Sequence, residues 1–306
     1  MTNLILQNQK TRQLWSKPFE MKNILVPTDF SEHAQYAINA AVKIAQKHGA
    51  IVHFMHTIKS LGDIVQLDSF ASGDFASTTV STDQILQLIE LKTEEAENNL
   101  KTLKKQVEEK GINAITHVKQ EAIDIAINKV VKEHHIDMVI MGSHGASGFA
   151  EMIIGSNAQK VVRNSKCPVL ILKNELTSDL EHLVYASNFD EEEVNKNIPR
   201  AGALADSLSA KMHFLFVNTP GYFEDTESTL KKIKEACKLY PDADKHIYND
   251  FSVEDGILAF SKMNNMNSIV ITTHGYKALR RFFNNNIAEH LVNHCDIPVI
   301  SLNLEK

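Results

Sequence analysis

Between residues 142 and 157 the chain reads G-S-H-G-A-S-G-F-A-E-M-I-I-G-S-N, with glycines at 142, 145, 148 and 155, followed by Ser156. Glycine allows backbone to approach a ligand closely and permits positive φ, so successive N–H groups can converge on one anion. A helix opening near Asn157 would add free N–H groups and a positive dipole end, which suits phosphate. The competing reading is that Ser156 only caps that helix and the glycines only make turns. No G-x-x-x-x-G-K-[ST] occurs, so this is not a P-loop, and no G-x-S-x-G marks a nucleophile elbow. No Lys or Arg stands between Gly142 and Asn157, so a charge clamp for phosphoryl transfer would have to come from a metal or another segment. The sequence therefore assigns no catalytic residue and no dedicated metal ligand.

Other reactive side chains carry less. His144 and His274 precede a glycine in two related segments, and recurrence in a segment that has lost the other glycines favours a structural role. His290 and His294 have the i, i+4 spacing of metal ligands on a helix but lack the HExxH glutamate. His53 and His56 fall within one strand and read as structural. Cys167, Cys237 and Cys295 have no C-x-x-C spacing, which suits a reducing cytoplasm and argues against a structural zinc site.

Positioning the glycine segment requires alternating strands and helices. Lys22–Thr28 and the segment from Ile51 read as strands. Between them Ser31 is placed to cap a helix that Gly49 ends. A polar stretch over Lys59–Thr82 precedes a charged helix, Gln84–Lys110, in which pairs such as Glu97–Lys101 should give local support. Strands at Ile112–Val118, Met138–Gly142 and Pro168–Leu172 alternate with helices at Ala122–His134 and Asn157–Asn164. This order implies an α/β open parallel sheet with helices on both faces, which binds ligands beyond the carboxyl ends of its strands.

The pattern then repeats. Met138–Leu172 aligns without a gap to Ser268–Leu302 at an offset of 130 residues, and His53–His56 resembles His213–Phe216. A period this long means tandem domains. The 306 residues divide into a leader over 1–20, expected to be disordered, and domains over 21–174 and 180–306. Net charge is −6, with 32 Lys+Arg against 38 Asp+Glu, which disfavours general nucleic-acid binding. No apolar run reaches the ~18 residues of a membrane span, and a cytoplasmic location is expected.

G142-x2-G145-x9-G155-S156 matches the nucleotide loop of the ATP-binding branch of the universal stress protein family. VPTDFS at the first strand and the closing NSKCPVLILK extend the match. The chain thus resembles a tandem universal stress protein. That resemblance implies two Rossmann-like, five-stranded parallel sheets in the order 3-2-1-4-5. It also implies ATP, or another adenine nucleotide, lying across the strand ends of the first domain. Pro27, Thr28 and Asp29 match positions near base and ribose, and Met141 and Gly142 the next contacts. Gly145, Gly155, Ser156 and Asn157 match phosphate-binding positions. Mg2+ or Mn2+ can accompany the phosphates in the family without a dedicated protein cage.

The second copy departs from this pattern. Thr272 replaces Gly142, Ala278 replaces Gly148, and Asn285 and Asn286 replace Gly155 and Ser156, leaving Gly275 for Gly145. Ala186 and Asn188 replace Pro27 and Asp29. The second domain is therefore not expected to bind ATP in the usual way, and Arg280 and Arg281 in its altered loop read as a solvated basic face. The favoured function is a nucleotide-responsive stress or regulatory protein. The alternatives are a slow ATP hydrolase or nucleotidyl transferase using the same site, and a nucleotide-free scaffold. The last strands of the two copies, Pro168–Leu172 and Pro298–Leu302, are expected to pair within the chain as an intramolecular pseudo-dimer. Whether two chains associate further, and with what protein partner, is left open.

Overall fold

The computed structural model describes residues 20–58, 82–143, 155–190, 197–274, 291 and 296–304. The leader, most of the polar stretch after the second strand, and His144, Gly145, Gly148, Arg280, Arg281, His290, His294 and Cys295 lie outside the described residues. The first half runs β1 (Asn23–Pro27), α1 (Glu32–His48), β2 (Ile51–Thr57), α2 (Thr82–Glu108), β3 (Ala114–Lys119), α3 (Ile123–His134), β4 (Met138–Gly142), α4 (Ser156–Asn164) and β5 (Val169–Leu172). The second runs β6 (His182–Ala186), α5 (Ile198–Leu208), β7 (Lys211–Asn218), α6 (Thr226–Ala236), β8 (Asp244–Asn249), α7 (Val253–Met263), β9 (Ser268–His274) and β10 (Val299–Leu304).

Each half has the 3-2-1-4-5 order, but the two are not separate sheets. Ten strands form one sheet in the order β3-β2-β1-β4-β5-β10-β9-β6-β7-β8. All neighbours are parallel except β5 and β10, which meet antiparallel with Ile171 opposite Val299 and Val169 opposite Ser301. The reason lies in the strands themselves. Every residue of Val169–Leu172 is buried, and such a strand cannot remain at an open edge without exposing apolar side chains and unpaired backbone groups. Pairing it with β10 solves that problem inside one chain. The true edges, β3 and β8, are the half-exposed strands.

Helices cover both faces, and each face carries an apolar core that draws on both halves. One includes Val26, Phe54, Leu100, Leu170, Tyr185 and Phe214. The other includes Leu25, Met55, Ile127, Val139, Leu215 and Phe260. The linker is held against α1, where Asp179 pairs with Lys43 (3.0 Å) and Lys47 (3.5 Å); Lys43 holds the Asp179 carboxyl below its ordinary range.

Local signals behave as their chemistry requires. The Ser31 hydroxyl accepts from the Ala34 N–H, and Gly49, at φ 69°, closes α1 in the left-handed region. On α2 the apolar stripe Ile85, Ile89, Ala96, Leu100, Leu103 and Val107 is buried and the charged face is solvated. On that helix Lys104 pairs with Glu108 (3.6 Å), and among the described ion pairs the expected Glu97–Lys101 does not occur. The same strand-start hook occurs in both halves. Asp137 accepts from the N–H groups of Lys22 and Asn23, and Asn267 accepts from those of Glu181 and His182. Among the described residues no helix is long and apolar enough to cross a membrane.

Candidate functional site

In the first half the strand order reverses between β1 and β4, so the chain leaves their carboxyl ends in opposite directions and opens a crevice. The corner after β1 is tightly tied. The Thr28 N–H donates to the Met55 carbonyl (2.8 Å), the Phe30 N–H donates to the Thr28 hydroxyl (3.0 Å), and His56 Nδ1–H donates to the Thr28 carbonyl (2.8 Å). Phe30 takes φ 63°, a costly conformation for a residue with a Cβ. Its ring stacks on His56 with centroids 5.0 Å apart. Asp29 accepts from both the Ser31 N–H (3.1 Å) and the Ser31 hydroxyl (2.6 Å). The helix cap and the acidic side chain at the crevice rim are therefore one unit.

Across the crevice, β4 ends at Gly142 and Ser143. The Ser143 N–H donates to the Leu172 carbonyl (2.8 Å), and the Ser143 carbonyl accepts from the Gly155 N–H (2.8 Å). The two ends of the glycine segment therefore meet at Ser143. The segment delivers Gly155 as the N-cap of α4, with no side-chain cap. Ser156 is thus the first residue inside the helix, and the reading of Ser156 as a cap is replaced. The Gln159 N–H bonds to the Gly155 carbonyl, which leaves the N–H groups of Ser156, Asn157 and Ala158 without intrahelical acceptors, as at any helix start.

Pro27, Thr28, Asp29, Met141, Gly142, Gly155, Ser156 and Asn157 all line one cleft of about 190 Å³. Of the nine residues that the sequence points to, only Gly145 lies outside the described residues. Met55, His56, Thr57, Ile123 and Ser143 also line the cleft, and the sequence reading missed them in this role. The first three are at the carboxyl end of β2, where Met55 lies beside Pro27, so the strand-end rule applied to β2 would have found them. The walls are apolar at Met55, Met141 and Ile123 and polar at Asp29, Ser143, Ser156 and Asn157. No Lys or Arg is among the described lining residues.

The two described glycines of the segment, Gly142 and Gly155, do not use positive φ. Among described glycines only Gly49 and Gly111 have positive φ. A Cβ on Gly142 would come within 2.7 Å of the His33 carbonyl oxygen, so this glycine permits α1 to start against the end of β4. Gly155 sits at φ −59° and ψ 145°.

Two further histidines meet between β2 and β3. His53 contacts His117 (3.1 Å) and Asn23 (3.2 Å), and burial pushes both imidazoles down to about 4. Cys167 is buried, and its thiol is pushed up to about 12, which leaves it an inert packing group.

Comparison with known proteins matches this architecture. Residues 20–173 and 218–302 match the sequence model of the universal stress protein family. The chain is 30% identical over 156 residues to universal stress protein MJ0577 of Methanocaldococcus jannaschii, covering 50% of this chain and 96% of that protein. It is 29% identical over 152 residues to universal stress protein MJ0531 of the same organism, covering 50% of this chain and 82% of that one. A crystal structure of a universal stress protein from Archaeoglobus fulgidus has the same fold over both halves, with a TM-score of 0.67 at 19% identity, covering 93% of this chain and 97% of that one. By its repeated segments, its strand order and these matches, the chain belongs to the universal stress protein family.

Proposed function

We propose that the first half, over residues 21–174, binds one adenine nucleotide, ATP or a close relative, and that the second, over 180–306, acts as a structural or interaction half of a nucleotide-responsive regulatory protein. The observation carrying this reading is the convergence of the segments around Thr28, Met141 and Ser156 on a single cleft. The base would lie against the apolar wall near Met55, Met141 and Ile123. Asp29 would accept from ribose hydroxyls, and the N–H groups of Ser156, Asn157 and Ala158 would face the phosphates. Gly145 would join them through the family's loop pattern. Among the described lining residues Asp29 is the one carboxylate, too little for a protein cage. An accompanying Mg2+ or Mn2+ would be held chiefly by phosphates and water, as is usual for Mg2+, and would supply charge neutralisation there.

Binding without rapid turnover is the better reading of this wall. Phosphoryl transfer depends on charge neutralisation around the phosphate, and the described part of the cleft supplies backbone N–H groups but no Lys or Arg. Denaturing the purified full-length chain and separating the released small molecules by chromatography tests the proposal. About one adenine nucleotide per chain, or micromolar binding of added ATP by calorimetry, supports it. An empty cleft that also refuses ATP, ADP and AMP would leave the scaffold reading.

A further inference from the structure

The amino ends of β6, β7 and β8, opposite the carboxyl-end rim, hold three histidines and a carboxylate. His213 Nδ1 lies 3.2 Å from His246 Nε2 and 3.5 Å from Asp244 Oδ2. These three atoms all fall within 4.8 Å of one another. Tetrahedral zinc with bonds of about 2.0–2.1 Å places its ligand atoms roughly 3.3–3.4 Å apart, and the two measured separations bracket that edge. We propose that His213, Asp244 and His246 form a binding site for a divalent transition ion of the zinc type, independent of the nucleotide cleft. Two imidazoles and one carboxylate suit that class of ion, and three protein ligands leave a fourth position for water.

The surroundings support the assignment. His213 Nε2 lies 3.0 Å from His182 Nδ1. With Nδ1 turned to the metal, the Nε2–H donates to His182, which fixes the tautomer and the ring plane as outer partners of ligating histidines do. His213 is buried, whereas the Asp244 side chain is 43% exposed, giving the ion a route in from solvent. The ring of Phe260, on α7, lies 4.8 Å from that of His246. Lys211 Nζ, 2.8 Å from Asp244 Oδ2, is the competing cation; it is about half exposed and can swing away when a metal enters.

The first half supplies an internal control. His53 pairs with Ile115 across β2 and β3 as His213 pairs with Asp244 across β7 and β8. His117 stands beside Met55 as His246 stands beside Leu215. The imidazole pair therefore recurs, but Ile115 replaces the carboxylate and Asn23 replaces His182. The third neighbour there is the ring of His134, 5.1 Å from that of His53 and 4.7 Å from that of His117, and among the described residues no carboxylate joins them in a comparable cluster.

Titrating the full-length chain with Co2+, then displacing it with Zn2+, tests the site. The expected result is one equivalent of Co2+ with the intense visible bands of a tetrahedral ion, bleached by Zn2+. Asp244→Asn and His246→Gln should each abolish those bands, His182→Phe should weaken binding by about 10–100-fold, and His117→Gln should leave them intact. The Asp244 side chain is 43% exposed and its replacement isosteric, so that variant decides the matter even if a histidine variant folds poorly; circular dichroism checks each. Absence of tetrahedral bands in the parent chain, or their survival at full intensity in Asp244→Asn, overturns the proposal.

Discussion

The carboxyl ends of the two half-sheets start from the same corner and finish differently. Thr28 and Ser187 each accept the N–H of the phenylalanine two residues on, and those residues, Phe30 and Phe189, have φ 63° and 55°. In the first half Phe30 is 38% exposed, at the crevice beside His56. In the second, Phe189 is 3% exposed and packs towards Phe214. Gly142 lets α1 sit on β4, whereas at the same place in the second half a buried Thr272 hydroxyl lies 3.4 Å from the hydroxyl of Tyr185. Among the described residues the duplicated strand order thus preserves the backbone corner but not the side chains around it. The corner depends on local hydrogen bonds, while the cleft depends on which side chains are missing from its walls.

Importing second-half residues into the first is the strongest way to break this contrast. Gly155→Asn combined with Ser156→Asn should lower adenine-nucleotide affinity by at least about 100-fold, or about 2.8 kcal/mol, by isothermal titration of the whole chain. An unchanged Kd would mean the α4 start does not hold the ligand. Gly142→Thr should destabilise the fold by about 1–3 kcal/mol, because its Cβ meets backbone at His33; urea unfolding reads this directly, and an unaltered midpoint would show that α1 shifts freely.

A smaller loss, about 1 kcal/mol, should follow Ser31→Ala, which removes the α1 cap and one partner of Asp29. Thermal melts read this loss, and an unchanged midpoint in Ser31→Ala would show that the cap does not hold α1. At neutral pH the smallest effect should come from the histidine pair. Burial holds His53 and His117 near 4, below the ordinary 6.5. Their stabilisation is complete above about pH 6.5 and is lost as pH falls through 4, where the folded state must accept buried charge. His53→Gln should therefore move the acid-unfolding midpoint to lower pH while leaving it flat at pH 8. A midpoint unchanged or raised would refute this.

Much of the candidate site was legible because its parts are local motifs. Thr28 to Ser31 is a strand-to-helix corner, and Gly155 to Asn157 is a helix start; both are written in consecutive residues. Met55, His56 and Thr57 were not legible as lining residues, since a strand end reads the same whether it faces a cleft or a helix. The histidine and carboxylate cluster was hidden for a related reason. Asp244 and His246 alternate along one strand, but His213 joins them only through the β7–β8 register.

By itself the sequence determined the α/β alternation, the duplication, the two caps of α1 and the loss of phosphate-loop glycines in the second half. Each follows from side-chain periodicity, backbone freedom or local hydrogen bonding. The internal pairing of the last strands was expected too; only the tertiary structure decided that it is antiparallel and makes one continuous sheet, that Gly142 is needed against His33, and that the amino ends of β6, β7 and β8 gather three imidazoles and a carboxylate. Those outcomes depend on packing and register between strands, and residues far apart in the chain acquire their meaning only when the strands are laid side by side.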